Sequence, residues 1–361
     1  MNILVIAPFP NSKNEKDGFL QRIKKVDYLI KENKRVYIQI SLKHYIVPEK
    51  VNHDTDGVVV WNLNFFTGFF FLFYQLCKSD MVYAHTIYNL MWIIPFFPIN
   101  KSKVILDVHG TVPEEQEMGG KIGYSKILSF AEKLCFNNIN TAVFVTESMH
   151  QYYLEKYANA SFKSLVYGIW PDNIRKGDDV DKLILDKLRE KIGIGTNDVV
   201  VIYSGGLHVW QNIDLMLQSI NNKKNDQNVV YILLVNDIVE MKKILNKFNI
   251  NKRIYLDSVH PDELANFYTL SHYGFVLRDD SIVNRVANPT KLIEYLFYGI
   301  TPIVKLEEIG DFKIYNYSYM CLNKYLEDIL HTFKCVNNEQ VVADIFNSYN
   351  EEEFKHEILI N

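Results

Sequence analysis

The sequence predicts an α/β protein with two Rossmann-like domains, each a doubly wound parallel sheet, that face one another across a cleft. Short apolar runs alternate with amphipathic helical patterns along nearly the whole chain. The alternation falls into two series of similar length, and 361 residues are enough for two separate cores. Parallel sheets follow because a strand, a crossover helix and a second strand place the two strands side by side in one direction.

The first series predicts strands and two clear helices, and it defines an N-terminal domain of residues 1–165. Its strands are expected at residues 2–7, 34–41, 58–63, 81–84, 103–108 and 141–146, and its helices at 19–32 and 124–137.

The second series begins near Ser164 and defines a C-terminal domain of residues 166–337, with a hinge at 165–176. A charged, glycine-containing segment at 175–194 precedes its first strand, and a polar, helical tail is expected at 338–361. Its strands are expected at residues 199–204, 229–235, 253–256, 274–277 and 301–304, and its helices at 213–221, 239–248 and 262–269.

Composition excludes several classes of protein. The net charge of −4 does not fit a nucleic-acid-binding protein. Four scattered cysteines without a C-x-x-C pair predict reduced thiols in a cytosolic setting, with neither a disulfide framework nor a zinc site. The N-terminus lacks a basic segment and leads directly into a strand, so we expect no signal peptide and a cytoplasmic location.

Two apolar stretches, residues 63–77 and 88–99, are too short to span a bilayer, and the second contains Pro95 and Pro98. They are either buried helices over a sheet or an aromatic face that meets a lipid or a lipid-linked substrate. Residues 1–165 carry 18 Lys and Arg against 15 Asp and Glu. This mild positive balance would let the first half approach the anionic inner face of a membrane.

The segment 275–304 reads as strand, polar loop, helix and strand. Asn288 is the expected N-cap, Pro289 suits the first helical position, and Gly299 suits a left-handed C-terminal position. Lys291 and Glu294 are three residues apart and share a helix face. The loop lies at the carboxyl end of a parallel strand, where the helix N-terminus favours an anion. The alternative is a capped surface helix with a solvated Lys–Glu pair.

Two further charged residues flank this helix: Arg278 leaves the preceding strand and Arg285 lies in the loop. A phosphate-bearing, hydroxyl-rich ligand would suit this mixture. A second candidate is the turn at Gly205 and Gly206, which follows a buried strand and lets the backbone approach a ligand, or is simply a tight turn. The first strand is not followed by G-x-G-x-x-G, so the NAD fingerprint is missing, and residues 119–125 are not a P-loop.

In the first half, His109 and Gly110 end a predicted strand, where a histidine either is structural or contacts a sugar hydroxyl or phosphate. His85 has the same position on the neighbouring strand. Asp107 is predicted to lie on the other face as a buried polar anchor. Gly18, with Arg22 behind it, opens the first helix, and is either an anion site or a plain turn with a solvated arginine.

Taken together, the Gly18 loop, the DVHG strand end at 107–110, VTESM at 145–149, the YSGGL turn at 203–207 and the 275–304 segment resemble retaining glycosyltransferases of the GT-B fold (glycosyltransferase family 4). The resemblance spans nearly the whole chain. It implies that residues 1–165 bind the acceptor and residues 166–337 bind a nucleoside diphosphate sugar.

The chain departs from the pattern of that family at three positions. The family's Arg and Lys in the glycine turn are replaced by Gly206 and Gln211, and Val286 stands where the first of two glutamates is usual. The run PTKLIEYL resembles a variant found in capsule and surface-polysaccharide transferases. This resemblance implies a phosphate contact for Lys291 and a ribose or donor-sugar contact for Glu294. From its chemistry, Arg278 would supply the missing charge.

The predicted site residues fall into three groups by role. The catalytic residues are His109, Lys291 and Glu294. The predicted acceptor or phosphate-proximal residues are Gly18, Arg22 and His85. The predicted donor-binding residues are Gly205, Gly206, Gln211, Arg278, Asn284, Pro289, Thr290, Lys291 and Glu294.

The resemblance implies sugar transfer to a glycan or lipid-linked acceptor in surface-polysaccharide biosynthesis, with the nucleotide sugar as donor and no cofactor. Asp54 and Asp56 match D-x-D only by chance, so no divalent ion is expected, and the absence of a convincing carboxylate nucleophile favours same-face attack with retention. Two alternatives remain: a GT-B-fold epimerase that uses the same donors, and a catalytically silent partner of a glycan-assembly complex, which the lost Arg and Lys suggest.

Overall fold

The structure, a computed structural model, describes residues 1–10, 18–51, 57–168, 180–224, 226–348 and 350–359. Its backbone forms two compact units. The first comprises Met1–Ile169, Val286–Asn288 and Tyr349–Asn361, and the second comprises Trp170–Arg285 and Pro289–Ser348. Each unit holds one mostly or wholly parallel sheet with helices, which confirms the predicted fold class.

The first unit contains an eight-stranded sheet in the order β3-β4-β2-β1-β5-β6-β7-β8. Every neighbouring pair is parallel except β3 with β4. The strands are β1 (Asn2–Ile6), β2 (Lys34–Ser41), β3 (Glu49–Val51), β4 (Val58–Asn64), β5 (Met81–His85), β6 (Lys103–Val108), β7 (Thr141–Phe144) and β8 (Lys163–Val166). The central strands are buried on both faces, as a parallel sheet requires, so their sequences are continuous apolar runs.

The second unit contains a six-stranded, wholly parallel sheet in the order β11-β10-β9-β12-β13-β14. The strands are β9 (Val199–Gly205), β10 (Val229–Val235), β11 (Ile254–Asp257), β12 (Tyr273–Val276), β13 (Thr301–Val304) and β14 (Met320–Cys321).

Helices connect the strands in chain order. Those before β9 are α1 (Gly18–Leu29), α2 (Phe69–Lys78), α3 (Ile87–Leu90), α4 (Val112–Met118), α5 (Ile122–Phe136), α6 (Glu147–Lys156) and α7 (Lys182–Ile192). Those after it are α8 (Ile213–Asn222), α9 (Ile238–Asn246), α10 (Leu264–Leu270), α11 (Ile282–Arg285), α12 (Thr290–Phe297), α13 (Leu322–Glu327), α14 (Val336–Asn347) and α15 (Glu351–Leu359). Short 3-10 helices cover Met91–Phe96, Val209–Gln211 and Pro261–Glu263.

Each sheet has a position where the strand order reverses, which is where doubly wound sheets bind ligands at the carboxyl ends of the strands. In the first sheet β1 lies between β2 and β5, and in the second sheet β9 lies between β10 and β12. The glycine turn follows β9, and Arg278 follows β12. The topology therefore brings two predicted site segments to one switch point.

The C-terminal end of the chain differs from the predicted division. We expected residues 338–361 to form a separate tail, but α14 clusters with the second unit and α15 with the first. Phe354 of α15 stacks on Tyr167 with ring centroids 4.1 Å apart, and Phe354 and Ile358 belong to the core of the first unit. The polar, helical pattern of the tail did not reveal which core its apolar residues would join.

Two local predictions were also wrong, and one segment contains a helix that was not predicted. The strand near Ser164 pairs with β7 and so closes the first sheet instead of opening the second series. The charged segment contains α7, which Asp181 caps at its N-terminus. The helix after the loop begins at Thr290 with Pro289 as its N-cap, one residue later than expected, while Gly299 has the predicted positive φ of 63°.

Two predictions concern segments outside the described residues. The hinge at 165–176 lies mostly beyond them, and Asp54 and Asp56 are not described. Among the helices that are described, none has both the length and the apolar composition needed to cross a membrane.

Candidate functional site

The glycine turn after β9 closes around the side chain of Tyr203. The Tyr203 hydroxyl donates a hydrogen bond to the Gly206 carbonyl oxygen at 2.5 Å. Gly205 has a φ of +144°, and a Cβ at this position would lie 3.7 Å from the Lys291 Nζ. A side chain is therefore disfavoured at Gly205 by backbone strain, and its absence leaves the backbone open beside a buried ammonium group.

Lys291 lies on α12 and reaches the glycine turn. Its Nζ donates to the Gln211 Oε1 at 2.5 Å and lies 4.3 Å from the centroid of the Tyr203 ring. Burial, reinforced by the nearby Arg278 charge and opposed by Glu294, holds the pKa of Lys291 well below its usual value. A cation in this setting gains free energy from any anion that enters, because a neutral amide and an aromatic face only partly replace water.

Arg278 and Asn284 flank the same helix. The Arg278 Nη1 donates to the Asn284 Oδ1 at 3.3 Å, and the Asn284 Nδ2 donates to the Asp279 carbonyl oxygen at 2.9 Å. Asn284 is fully buried on α11, a short helix that the sequence did not predict. Because Asn284 is anchored to the backbone, it fixes the direction of the Arg278 guanidinium.

Arg285, which the sequence placed in the same loop, has a different role in the structure. It is exposed and pairs with the carboxylates of Asp280 and Glu308. It is therefore an ion-pair residue of the loop.

Glu294 is held by a chain of hydroxyl groups that the sequence did not indicate. The Tyr268 hydroxyl donates to the Glu294 Oε2 at 2.7 Å and bonds to the Ser204 Oγ at 2.8 Å. Tyr295 completes the chain, because its hydroxyl accepts from the Ser204 N–H at 3.0 Å. The carboxylate is thus tied to the end of β9, one residue before the glycine turn.

Tyr268 lies in an apolar helix, α10, and no local motif marks it. The one available signal was that a tyrosine within a buried helix needs a partner for its hydroxyl. Gly274 is a similar signal for Tyr295, because a Cβ at Gly274 would lie 2.4 Å from a ring carbon of Tyr295.

The remaining predicted donor residues, Pro289 and Thr290, lie at the N-terminus of α12. Pro289 is the N-cap with no side-chain cap bond, and Thr290 is the first helical residue. The backbone N–H groups of this turn add positive partial charge next to Lys291. The structure therefore gathers the predicted donor set around one switch point of the second sheet.

In the first unit, Arg22 has a structural role, contrary to our prediction of an acceptor or phosphate contact. It is 1% exposed, and its Nε and Nη2 donate to the two oxygens of Asp107 at 3.1 and 3.0 Å. Its Nη1 donates to the carbonyl oxygens of Tyr167 and Gly168. With four bonds made inside the protein, Arg22 holds α1, β6 and the segment after β8 together.

Asp107 is a buried anchor, but it does not lie on the other face from His109. Residues two apart on a strand share a face, and the His109 Nε2 lies 3.3 Å from the Asp107 Oδ2. Burial alone would favour the neutral acid, yet the Arg22 charge and hydrogen bonds from both histidines hold the pKa of Asp107 well below its usual range.

His85 is fully buried behind His109, and its place near the acceptor or a phosphate stays a prediction. Its Nδ1 lies 3.1 Å from the His109 Nε2 and 3.2 Å from the Asp107 Oδ2. Burial, partly offset by Asp107, lowers the pKa of His85 to about 4, so it is neutral at pH 7. His85 therefore orients the ring of His109, which is 9% exposed and packs against Phe19.

The nitrogen and oxygen atoms of His85, Asp107 and His109 also converge as metal ligands would, since tetrahedral zinc ligands lie about 3.3 Å apart. However, the Asp107 Oδ2 already accepts from the Arg22 Nε and from the Tyr83 hydroxyl at 3.2 Å. A divalent ion would share a carboxylate that a guanidinium already neutralises, so a hydrogen-bonded pair of histidines fits these atoms better.

Gly18 opens α1, and a Cβ at this position would meet no heavy atom within 4 Å. The loop that precedes it, residues 11–17, lies outside the described residues. Gly18 thus remains a predicted anion contact.

No model of a protein family matches the sequence, and no curated protein matches it. Solved structures do match over nearly the full length. HepE from Anabaena in complex with UDP-glucose has a TM-score of 0.68 at 11% identity, covering 99% of this chain and 98% of that one. WaaG, a glycosyltransferase involved in lipopolysaccharide biosynthesis, has a TM-score of 0.67 at 10% identity, covering 100% of both chains.

Sucrose-phosphate synthase from Thermosynechococcus elongatus gives a similar result, with a TM-score of 0.66 at 10% identity over 99% of this chain and 97% of that one. At such low identity the likeness speaks to the fold alone. Together with the two doubly wound sheets, it shows that the chain has the GT-B fold of these glycosyltransferases.

Proposed function

We propose that this protein is a glycosyltransferase that moves a sugar from a nucleoside diphosphate sugar to a glycan or lipid-linked acceptor in surface-polysaccharide biosynthesis. The observation that carries the proposal is the position of Lys291. Its buried ammonium group lies beside an open glycine turn, and the hydrogen-bond acceptor of this ammonium group is the neutral Gln211. A diphosphate is the kind of anion that such a site favours. The likeness to HepE, solved with UDP-glucose, supports the same donor class.

The donor roles follow from the contacts. Lys291, Arg278 and the N-terminus of α12 would bind the diphosphate and stabilise it as it leaves, while the transferred sugar gains oxocarbenium character. Each charged hydrogen bond of this kind contributes about 1.5–3 kcal/mol. Because two cationic side chains and a helix terminus supply positive charge, the proposed reaction uses no divalent ion. The donor is a substrate, and the proposal includes no other cofactor.

Glu294, fixed by Tyr268, would accept hydrogen bonds from hydroxyl groups of the ribose or donor sugar. His109 would position the transferred sugar, with its ring held by His85 and Asp107. The proposed transfer is same-face attack with retention, in which the acceptor oxygen bonds to the anomeric carbon as the bond to the diphosphate breaks. The acceptor proton passes to the leaving diphosphate.

The test is a screen of nucleotide sugars by thermal stabilisation, followed by a transfer assay. A ligand at about 100 times its Kd stabilises the folded protein by about 2.7 kcal/mol. We expect a nucleoside diphosphate and its sugar to raise the Tm, and the free nucleoside, which lacks phosphate, to leave it unchanged. We also expect nucleotide release to depend on an added glycan or lipid-linked acceptor.

Three results would count against the proposal. Donor binding without turnover, with every acceptor tried, would indicate a non-catalytic partner of an assembly complex. Donor turnover without an acceptor, with a changed configuration in the sugar, would indicate an epimerase. No stabilisation by any nucleoside diphosphate would remove the donor site itself.

A further inference from the structure

The first unit exposes large apolar side chains on α2, on α5 and in the loops that precede α2 and β3. Phe70 on α2 is 82% exposed and Phe130 on α5 is 65% exposed, whereas side chains of this size are usually buried. We call this surface the apolar face and define it by Ile46, Phe66, Phe70, Ile122, Ile127 and Phe130.

On α5, lysine is the only type of charged residue exposed beside the apolar side chains. The buried stripe of the helix includes Leu128, Ala131 and Cys135, and the opposite side exposes Ile122, Ile127 and Phe130. Lys126 and Lys133 are exposed on the same helix, and Lys121 is exposed at its N-cap. The one acidic residue of α5, Glu132, is buried and bonded to Lys156.

The segment around α2 repeats this arrangement. Phe66, Phe70 and Tyr74 are four residues apart and exposed, while Leu72 and Leu76 face the core. The only charge between Phe65 and Lys78 is Lys78 itself, whose ammonium lies 4.3 Å from the centroid of the Tyr74 ring. Both helices thus present aromatic or aliphatic side chains with positive charge alone.

The two helices share a neighbour in the first unit. The 3-10 helix Met91–Phe96 packs against α5 and also contacts the α2 segment, since Phe96 lies 4.6 Å from Phe69 and Trp92 lies 5.1 Å from Phe65 between ring centroids. The loop before β3 joins the same edge, because the Thr67 hydroxyl donates to the Ile46 carbonyl oxygen at 2.5 Å.

We propose that the apolar face docks on a bilayer that contains anionic phospholipids. Lys121, Lys126 and Lys133 make no ion pair with any described residue of the chain, so their charge is available to an external anion. Interfacial helices combine Phe, Leu or Trp with Lys in this way, and each lysine near an anionic surface contributes about 1 kcal/mol. Lysine is depleted in protein–protein interfaces, which favours the lipid surface over a second protein.

This inference deepens the proposed function. The purpose of docking, which is access to a lipid-linked acceptor, rests on that function. In the first unit, β6 ends beside His109, α4 follows, and α4 packs against α5. A lipid-linked acceptor held in the bilayer would be presented at this side of the unit. The docking itself does not depend on the donor chemistry.

The experiment is co-sedimentation of the full chain with vesicles of phosphatidylcholine containing about 30% phosphatidylglycerol, compared with pure phosphatidylcholine. We expect binding to the anionic vesicles and at least tenfold weaker binding for Ile127→Glu/Phe130→Glu. We expect Lys121→Glu/Lys126→Glu to remove the preference for phosphatidylglycerol. The matched control, Val239→Glu/Lys242→Glu, changes an exposed apolar residue and an exposed lysine of α9 and should bind as the unmodified chain does.

Three outcomes would overturn the inference. The first is that the unmodified chain fails to sediment with anionic vesicles. The second is that the α5 variants sediment as strongly as the control. Alternatively, a dimer in sedimentation velocity that the same α5 variants abolish, without vesicle binding, would show that this face is an interface between copies. Thermal stabilisation by UDP is measured in parallel on every variant, so loss of donor binding is separated from loss of docking.

Discussion

The two units each bury a cluster of charged side chains at the carboxyl end of a sheet, and the clusters differ in one respect. In the first unit, Arg22 is matched by both oxygens of Asp107, and this pairing raises the pKa of Arg22 against the effect of burial. In the second unit, Lys291 donates to a neutral amide, and its pKa is lowered.

The difference separates a structural cluster from a binding cluster. A cation that a carboxylate already neutralises gains little from a ligand. Removal of either partner, however, leaves the other as an unpaired buried charge. A buried cation whose hydrogen-bond acceptor is a neutral amide costs folding free energy that an incoming anion returns. We therefore expect substitutions in the Arg22–Asp107 pair to change stability and substitution of Lys291 to change ligand affinity.

The largest effect is expected for Asp107→Asn. This substitution leaves Arg22 buried without its counter-charge, and such a loss costs about 3–5 kcal/mol. Urea unfolding of the variant measures it. The control is the double substitution Arg22→Met/Asp107→Leu, which removes both charges and should recover much of the stability. If Asp107→Asn unfolded at the same urea concentration as the unmodified chain, the structural role of the pair would be wrong.

A smaller effect is expected for Tyr268→Phe, which removes the hydroxyl that holds Glu294. Loss of a hydrogen bond to a carboxylate costs about 1.5–3 kcal/mol, so the affinity for the nucleotide sugar should fall by about 10- to 150-fold. The matched control is Tyr231→Phe, which removes a buried hydroxyl bonded to Tyr325 in the same unit. Isothermal titration should show a change of affinity in the first variant only, and equal affinities would refute the positioning role.

The smallest effect concerns pH. Because burial lowers the pKa of Lys291 in the free protein and a bound diphosphate would raise it, binding takes up a proton at pH values between the free-state pKa and the pKa of the complex. The affinity for UDP should then fall as pH rises from the free-state pKa towards the higher pKa of the complex. Titration in two buffers of different ionisation enthalpy measures this uptake, and Lys291→Met should lack it. Equal uptake by both proteins would contradict the assignment.

Much of the fold was predictable, because buried parallel strands are continuous apolar runs whose bounds are visible in the sequence. β10 and β13 were predicted at their observed bounds. The prediction failed where a segment's neighbours decide its role. For α15, the apolar positions do not identify the core that receives them. For α11, four residues are too few to show a helical period.

The site was predictable in part for a related reason. Lys291, Arg278 and the glycine turn are marked by their positions at strand ends and at a helix N-terminus, which sequence order reveals. Arg22 and Tyr268 are not, since their partners are 85 and 26 residues away, respectively. Only the structure shows that Arg22 is matched by a carboxylate and that Glu294 is held by Tyr268.

The most direct test of the comparison is Lys291→Met, measured for both unfolding and UDP affinity. Methionine has a similar length and apolar character but no charge, so the free protein should be as stable as the unmodified chain or more stable. The loss of one charged hydrogen bond of about 1.5–3 kcal/mol should weaken UDP binding by about 10- to 150-fold. Unchanged affinity with a large loss of stability would contradict the account, because Lys291 would then be a structural residue like Arg22.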